Sequence, residues 1–354
     1  MSSSNNSISN SDSRRGGGRG GDEGRRRRIG ISLGMLLDDR QVIEYARRAE
    51  SMNLHSIWVP ESWGRDAFVT LSYIASLTRG VMLGTAIVNI YARSAASTAM
   101  AINTLDLYSN GRAVLGLGAG SKRLAEDWHG LEFKDNIARM KEYVDVIRLV
   151  SRGERVDYNG RVVRVKGMRL GFKPLRSNIP IYIAATNQGM LKLAGEVGDG
   201  AILFLMPRNE LDERVRMLKD INPRLDVALV LITAVSNDTQ RAIERAKKSI
   251  AFYTAVGSIY ARFLAEHGFK DEVEHIREEY RRNGLKDIHM LVSDRMLNSL
   301  ALAGSIDDCV KQLRSFIKGI DLPILLINPV YNDEEDYIIF EHMMMEAMVR
   351  DEGC

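Results

Sequence analysis

Val227-Ala228-Leu229-Val230-Leu231-Ile232 sets six apolar residues in succession, and Ile324-Leu325-Leu326-Ile327 does the same later in the chain. A strand with one face in water alternates apolar and polar side chains. An unbroken run means both faces are covered, as in a parallel sheet with helices packed on it. Working outward, strands are expected at 29–33, 56–60, 81–89, 112–118, 179–185, 200–204, 226–234 and 322–328. Helical spacing of apolar residues separates them. One helix runs from the Asp38-Asp39 cap to Asn53; others are expected near 68–78, 97–108, 189–197, 210–219, 239–266 and 334–349. Eight strand–helix units closing on themselves make a (β/α)8 TIM-like barrel; a doubly wound open sheet is the alternative that periodicity leaves standing.

Two stretches interrupt the alternation. Residues 152–178 carry Tyr158-Asn159-Gly160-Arg161 between Val156 and Val162-Val163, an Asn-Gly turn that reads as a β-hairpin. Residues 268–303 read as a polar helical insertion. Barrels carry insertions in the loops of their catalytic face, so both are expected to be able to cover a ligand there.

The chain has 354 residues, 45% hydrophobic and 27% charged, which suits one large α/β domain with insertions. Net charge is +3, with the basic excess in the first 28 residues, so a strongly cationic nucleic-acid binder is excluded for the remainder. Residues 1–28 form a Ser/Asn- and then Gly/Arg-rich leader with almost no apolar residues to build a core, and disorder is its expected state. Its arginines suit nucleic acid or acidic partners; a solvated tail is the plainer reading. Residues 29–354 are expected to form the barrel with its insertions. The two cysteines, Cys309 and Cys354, make no disulfide framework or zinc site, and no apolar run has membrane-spanning length. A cytoplasmic location is expected.

Four strand ends carry candidate chemistry. Leu115-Gly116-Leu117-Gly118-Ala119-Gly120-Ser121 lets the backbone approach a planar or phosphorylated ligand, or simply eases a turn. Ala185-Thr186-Asn187-Gln188-Gly189-Met190 enters a helix, where amides can hold a phosphate; N-capping by Thr186 or Asn187 is the structural reading. Asn89, Tyr91 and Arg93 are polar groups at the mouth of an apolar element, Asn89 suited to a heterocycle and Arg93 to an anion. Glu61 can donate a proton or orient a substrate, or can be tied to a nearby arginine; Trp63 can stack on a ring or line the rim. The six histidines are scattered, and neither a nucleophile elbow nor a phosphate-binding P-loop occurs. That pattern fits an enzyme whose cofactor carries the chemistry.

The ordered combination of residues 84–94, Thr104-Leu105-Asp106-Leu107-Tyr108-Ser109-Asn110-Gly111-Arg112, 115–120, 181–185 and 189–201 resembles the bacterial luciferase-like family. It is most similar to the coenzyme F420-dependent branch, which includes the methylenetetrahydromethanopterin reductases, and the resemblance spans roughly 29–350. It implies a luciferase-like barrel, a homodimer or dimer of dimers, and F420 at the C-terminal mouth. A non-prolyl cis peptide at Ala86-Ile87 would back the deazaflavin ring, with Ser32 and Asn89 near it. Gly118, Ala119, Gly120, Ala185, Thr186, Gln188, Gly189 and Met190 would hold the ribityl phosphate region, and Arg93, Lys122 and Arg123 would meet the polyglutamate tail. Glu61 and Trp63 would touch the substrate.

The chain departs from the methanopterin reductases at Ser32, where they carry glutamate, and at Glu61-Ser62, where they carry Asp-His. Ile90 and Ala95 replace two prolines. The expected function is F420-dependent hydride transfer to or from a small organic substrate, methylenetetrahydromethanopterin or a related pterin among the candidates. An FMN-dependent monooxygenase is the alternative, and a non-catalytic ligand- or partner-binding barrel is more remote.

Overall fold

The computed structural model describes residues 27–349. Twelve strands occur among them: β1 Gly30–Ser32, β2 Ser56–Val59, β3 Met82–Thr85, β4 Val88–Asn89, β5 Ala113–Gly118, β6 Val156–Asn159, β7 Arg164–Met168, β8 Ile181–Ala184, β9 Gly200–Phe204, β10 Asp226–Val235, β11 Ala301–Gly304 and β12 Leu322–Ile327. The helices are α1 Asp39–Ser51, α2 Ala67–Leu77, α3 Ala95–Tyr108, α4 Asn136–Ser151, α5 Gln188–Val197, α6 Arg208–Ile221, α7 Thr239–Val256, α8 Ser258–Leu264, α9 Lys270–Asn283, α10 Asp294–Leu300, α11 Ile306–Phe316 and α12 Glu334–Met348.

Eight of the strands close a ring in the order β1-β2-β3-β5-β8-β9-β10-β12, every neighbour parallel, and β12 returns to β1 with Ile324 opposite Gly30. That last pairing is what an open sheet lacks. The unbroken apolar runs are now explained by their two neighbourhoods. Along β10, Ala228, Val230 and Ile232 join the cluster that fills the barrel, whereas Val227, Leu229 and Leu231 join the cluster beneath the helices. Both faces are buried, so no polar alternation appears.

Helix starts follow the capping residues in the sequence. Asp38 caps α1 in a box closed by Gln41, and Asp66, Ser94, Asp238, Ser305 and Asp333 cap α2, α3, α7, α11 and α12. Several expectations are corrected. The strand expected over 81–89 is split in two at Ala86-Ile87. The helix expected over 239–266 breaks at Gly257, and the insertion expected to be helical to 303 ends in β11, which pairs with the end of β10. Helices α4 and α11 were not anticipated.

The hairpin is present, but it lies in an αβ connection, between α4 and β8, and not in a loop of the catalytic face. Glu142 of α4 holds its turn by accepting the N–H groups of Arg161, Val162 and Val163 at 2.7, 2.9 and 2.6 Å. The 268–303 insertion, by contrast, follows β10 and packs on α7, at the mouth side. Among the described residues no helix is long and apolar enough to cross a membrane.

The leader lies outside the described residues except for its last two. Arg27 donates its backbone N–H to Met348. Arg28 forks onto Asp226 at 3.2 and 2.7 Å, where the Tyr182 hydroxyl also donates. His55 sits beside this group, and burial, helped by the Arg28 charge, holds its imidazole down at about 4.

Two measurements test this account. An unfolded His55 titrates near ~6.5, so between that value and about 4 the unfolded chain binds a proton that the folded chain refuses. Stability is complete above this window and falls on acidification through it, by about 2–3 kcal/mol. Urea melts of wild type and His55→Gln should show that slope in the former and its loss in the latter; equal slopes would refute it. Second, a Cβ on Gly116 would lie 1.9 Å from the Thr85 carbonyl oxygen. Gly116→Ala should therefore cost about 3 kcal/mol by chemical denaturation, and an unchanged midpoint would show that β3 and β5 separate freely.

Candidate active site

The mouth is organised by the break between β3 and β4. The β3 ladder to β5 ends at Gly84 opposite Val114, and the β4 ladder resumes at Val88 opposite Leu117. Three residues, Thr85 to Ile87, thus face two, Leu115 and Gly116, and the regular ladder lapses. Thr85 replaces it with its side chain: its hydroxyl donates to the Gly116 carbonyl at 2.8 Å and accepts the Gly116 N–H at 2.8 Å. Both backbone groups of a buried glycine are satisfied by one hydroxyl.

Within the break the Ala86-Ile87 peptide is cis, where the resemblance placed it. Ala86 donates its N–H to Val59 at 2.9 Å, and Ile87 accepts the Glu61 N–H at 3.2 Å. These two residues are partly exposed in a segment otherwise buried from Leu83 to Tyr91. They form the open floor of the mouth.

The glycines of β5 are fitted to this floor. A Cβ on Gly118 would lie 2.5 Å from the Ile87 side chain, and one on Gly120, at φ +65°, would lie 2.6 Å from the Asn89 amide nitrogen. Close backbone approach is therefore real here, and its first use is between strands. Asn89 is buried, and its Oδ1 accepts the Tyr91 N–H at 2.7 Å.

Glu61, Arg93 and Asn89 line one cavity of about 280 Å³, with Leu124 and His129, which sequence reasoning did not single out. Glu61 is engaged. Its carboxylate takes the Arg93 guanidinium on both oxygens, one contact at 2.9 Å, and accepts the Ala67 N–H at 2.9 Å. Arg93 also holds Asp66, and hydrogen bonding to Glu61 raises it above the usual arginine value. The arginine-pairing alternative for Glu61 is what the geometry displays. Lys122 stands 3.6 Å from Glu126, and Arg123 is exposed.

The remaining positions divide. Ser32 ends β1 and is buried. Asn187 caps α5 by accepting the Met190 N–H at 2.9 Å, while Gln188 and Gly189 are exposed at the helix start. Ala185 and Met190 are buried, and Thr186, Ala119 and Gly120 are half-buried.

Trp63 stands apart from Glu61, half exposed at 46%. Its ring meets Trp128 at 5.7 Å and Phe252 at 6.1 Å; Phe252 meets Tyr253 at 5.4 Å, and Tyr253 meets Phe204 at 4.9 Å. Tyr260 closes on Phe204 at 5.4 Å. An aromatic arc thus crosses the mouth, joining loops after β2 and β5 to the end of β9 and to α7 and α8. Sequence reasoning named one member of six. Only the Phe252-Tyr253 pair inside a helix of small residues hinted at the rest. Burial pushes the Tyr260 phenol up to about 12 and Tyr253 higher still, so both stay neutral donors near neutral pH.

Comparison with known proteins agrees with this geometry. The sequence profile of the luciferase-like monooxygenase family matches residues 26–320. A 5,10-methylenetetrahydromethanopterin reductase from Archaeoglobus fulgidus is 30% identical over 307 residues, covering 83% of this chain and 91% of that protein. A putative coenzyme F420-dependent oxidoreductase from Mycobacterium tuberculosis is 29% identical over 296 residues, covering 76% and 85%. The solved F420-dependent tetrahydromethanopterin reductase from Methanopyrus kandleri superposes with a TM-score of 0.80 at 23% identity, covering 91% and 98%. With its closed parallel barrel and its cis peptide at the mouth, the chain is an enzyme of the luciferase-like monooxygenase family.

Proposed function

We propose that the protein is an F420-dependent oxidoreductase that binds the deazaflavin ring on the Ala86-Ile87 floor and the substrate above it, under the aromatic arc. The observation that carries this reading is that partly exposed step between β3 and β4, together with the aromatic arc of Trp63, Phe252 and Tyr253 on the loop after β2 and on α7. A flat heterocycle fits between a backbone floor and an aromatic roof. When bound, the deazaflavin supplies a two-electron hydride carrier. The protein's own part is placement. Asn89 is fixed by its bond to the Tyr91 N–H and keeps its amide toward Gly120; the exposed start of α5 at Gln188 and Gly189 offers amides for a phosphate.

Glu61 is best read as a positioning residue, because its carboxylate orders Arg93 and the start of α2. The phenols of Tyr253 and Tyr260, raised by burial, are neutral groups suited to donate to a ligand and not to remove a proton. The site is thus built to orient a hydride acceptor or donor and to exclude water. Methylenetetrahydromethanopterin and related pterins are the first substrates to screen, given the relatives. FMN is the second reading, favoured by the monooxygenase profile.

Titration by quenching of cofactor fluorescence should give saturable, micromolar binding of F420 and weaker binding of FMN. Binding of FMN but not F420, with oxygen consumed by the reduced complex, would replace this reading by the monooxygenase.

We also infer self-association through α2 and α3, which expose Val69 (70%), Tyr73 (54%), Met100 (50%) and Tyr108 (67%) on neighbouring helices. Apolar exposure of that extent marks an interface. Light scattering after size exclusion should give a dimer or larger for wild type and a monomer for Tyr73→Glu with Met100→Glu. A monomeric wild type would sink this.

A further inference from the structure

A cleft of about 790 Å³ adjoins the aromatic arc. Met35, Ile243, Phe252, Ile288 and Met290 give it apolar walls, and Arg245 of α7 lies in its lining. The Nε of Arg245 is buried without a hydrogen-bond partner. Four other arginines share that orphaned atom, and each has another anchor. Arg139 lies 4.7 Å over the Tyr91 ring, Arg148 is 3.2 Å from Asp199, Arg208 donates to the Asn298 carbonyl at 2.9 Å, and Arg214 is 3.2 Å from Glu210. Among the described residues Arg245 has neither a hydrogen bond nor an ion pair. Burial pulls it below the ordinary arginine value, and the one opposing influence is the charge of Asp336.

The other basic groups around the cleft are already matched. Lys247 is 2.7 Å from Asp294, and Lys248 is 2.6 Å from Glu244, with His289 3.7 Å from the same carboxylate. Asp336 is occupied by the N–H groups of Val330, Tyr331 and Asn332 at 3.0, 2.9 and 2.6 Å. Asp287 also lines the cleft, and among the described residues its carboxylate has no ion pair. A dry, unpartnered Nε costs free energy, and a guanidinium fork that lines a cleft suits carboxylate or phosphate. Position adds a length. Arg245 and Phe252 are seven residues apart on α7, two turns, or about 10 Å along the axis.

We propose that Arg245 is the anion subsite for the substrate, which is an elongated organic acid with an apolar body, its carboxylate or phosphate about 10 Å from the end that lies under Phe252 and Trp63. This rests on reading the mouth as the reaction site.

The test uses the full chain and three probes: ω-phenyloctanoate, its carboxamide and phenyloctyl phosphate, followed by quenching of tryptophan fluorescence. At least one oxyanion should bind tenfold or more tightly than the carboxamide. Arg245→Gln should abolish that preference while leaving carboxamide affinity unchanged, and Arg245→Lys should keep part of it, with circular dichroism and urea midpoint confirming that both variants fold. Equal affinities in wild type, or an undiminished preference in Arg245→Gln, would overturn the subsite. F420 affinity should be the same in wild type and Arg245→Gln. A selective loss there would assign the arginine to the cofactor and overturn the substrate role, leaving the F420 reading intact. An oxyanion preference in a wild type that does not bind F420 would uphold the anion subsite and sink the cofactor.

Discussion

The approach of β5 to the β3–β4 segment is the constraint on which the mouth depends. Gly116 brings its backbone against the Thr85 carbonyl so closely that no side chain fits between. The Thr85 hydroxyl then completes the backbone hydrogen bonding that an irregular ladder would leave open. From this one contact follow the registers on either side, the outward presentation of Ala86 and Ile87, and the inward placement of Asn89 against Gly120. A larger residue at 116 would separate the strands and dissolve the floor as well as weaken the barrel.

The two ends of the barrel are built from different chemistry. At the base, Arg28, Asp226, Tyr182 and His55 form a compact polar group in which ionised partners satisfy one another; the Arg28 hydrogen bonds hold Asp226 below the usual carboxylate range against the opposing effect of burial. At the mouth, the charges that exist are consumed locally, as in the Glu61–Arg93–Asp66 network, and the open surface is aromatic and neutral. That division fits a barrel whose base supplies rigidity and whose mouth supplies a shaped, poorly hydrated space. Arg245 lacks that local pairing.

Much of the scaffold was readable in the chain, because eight apolar runs can be covered on both faces in few ways. The missed elements have separate causes. Helix α4 does carry a helical stripe, Met140, Val144, Ile147 and Ser151, but a long irregular connection sets it apart from the strand before it. Strand β11 is Ala-Leu-Ala-Gly, without β-branched residues; pairing with the end of β10 makes it a strand, a tertiary cause invisible locally. The glycine loops were legible as places of close approach, yet not which backbone they approach. Glu61 and Arg93 were recognised individually, whereas their mutual fork depends on two strand ends meeting. The aromatic arc draws on residues from 63 to 260 and has no signature short of the fold itself.

The pairing of Arg28 with Asp226 also bears on how the leader can be shortened. Residues 25–28 are all arginine, a run that trypsin-like proteases favour. Such enzymes need the arginine side chain extended into a deep acidic pocket. Arg28 already has its fork in Asp226, and Arg27 is fastened through its backbone to the end of α12. To cut after Arg28, a protease must first win that guanidinium from the base of the barrel. Cleavage after Arg28 is therefore opposed by the ion pair at the base of the barrel.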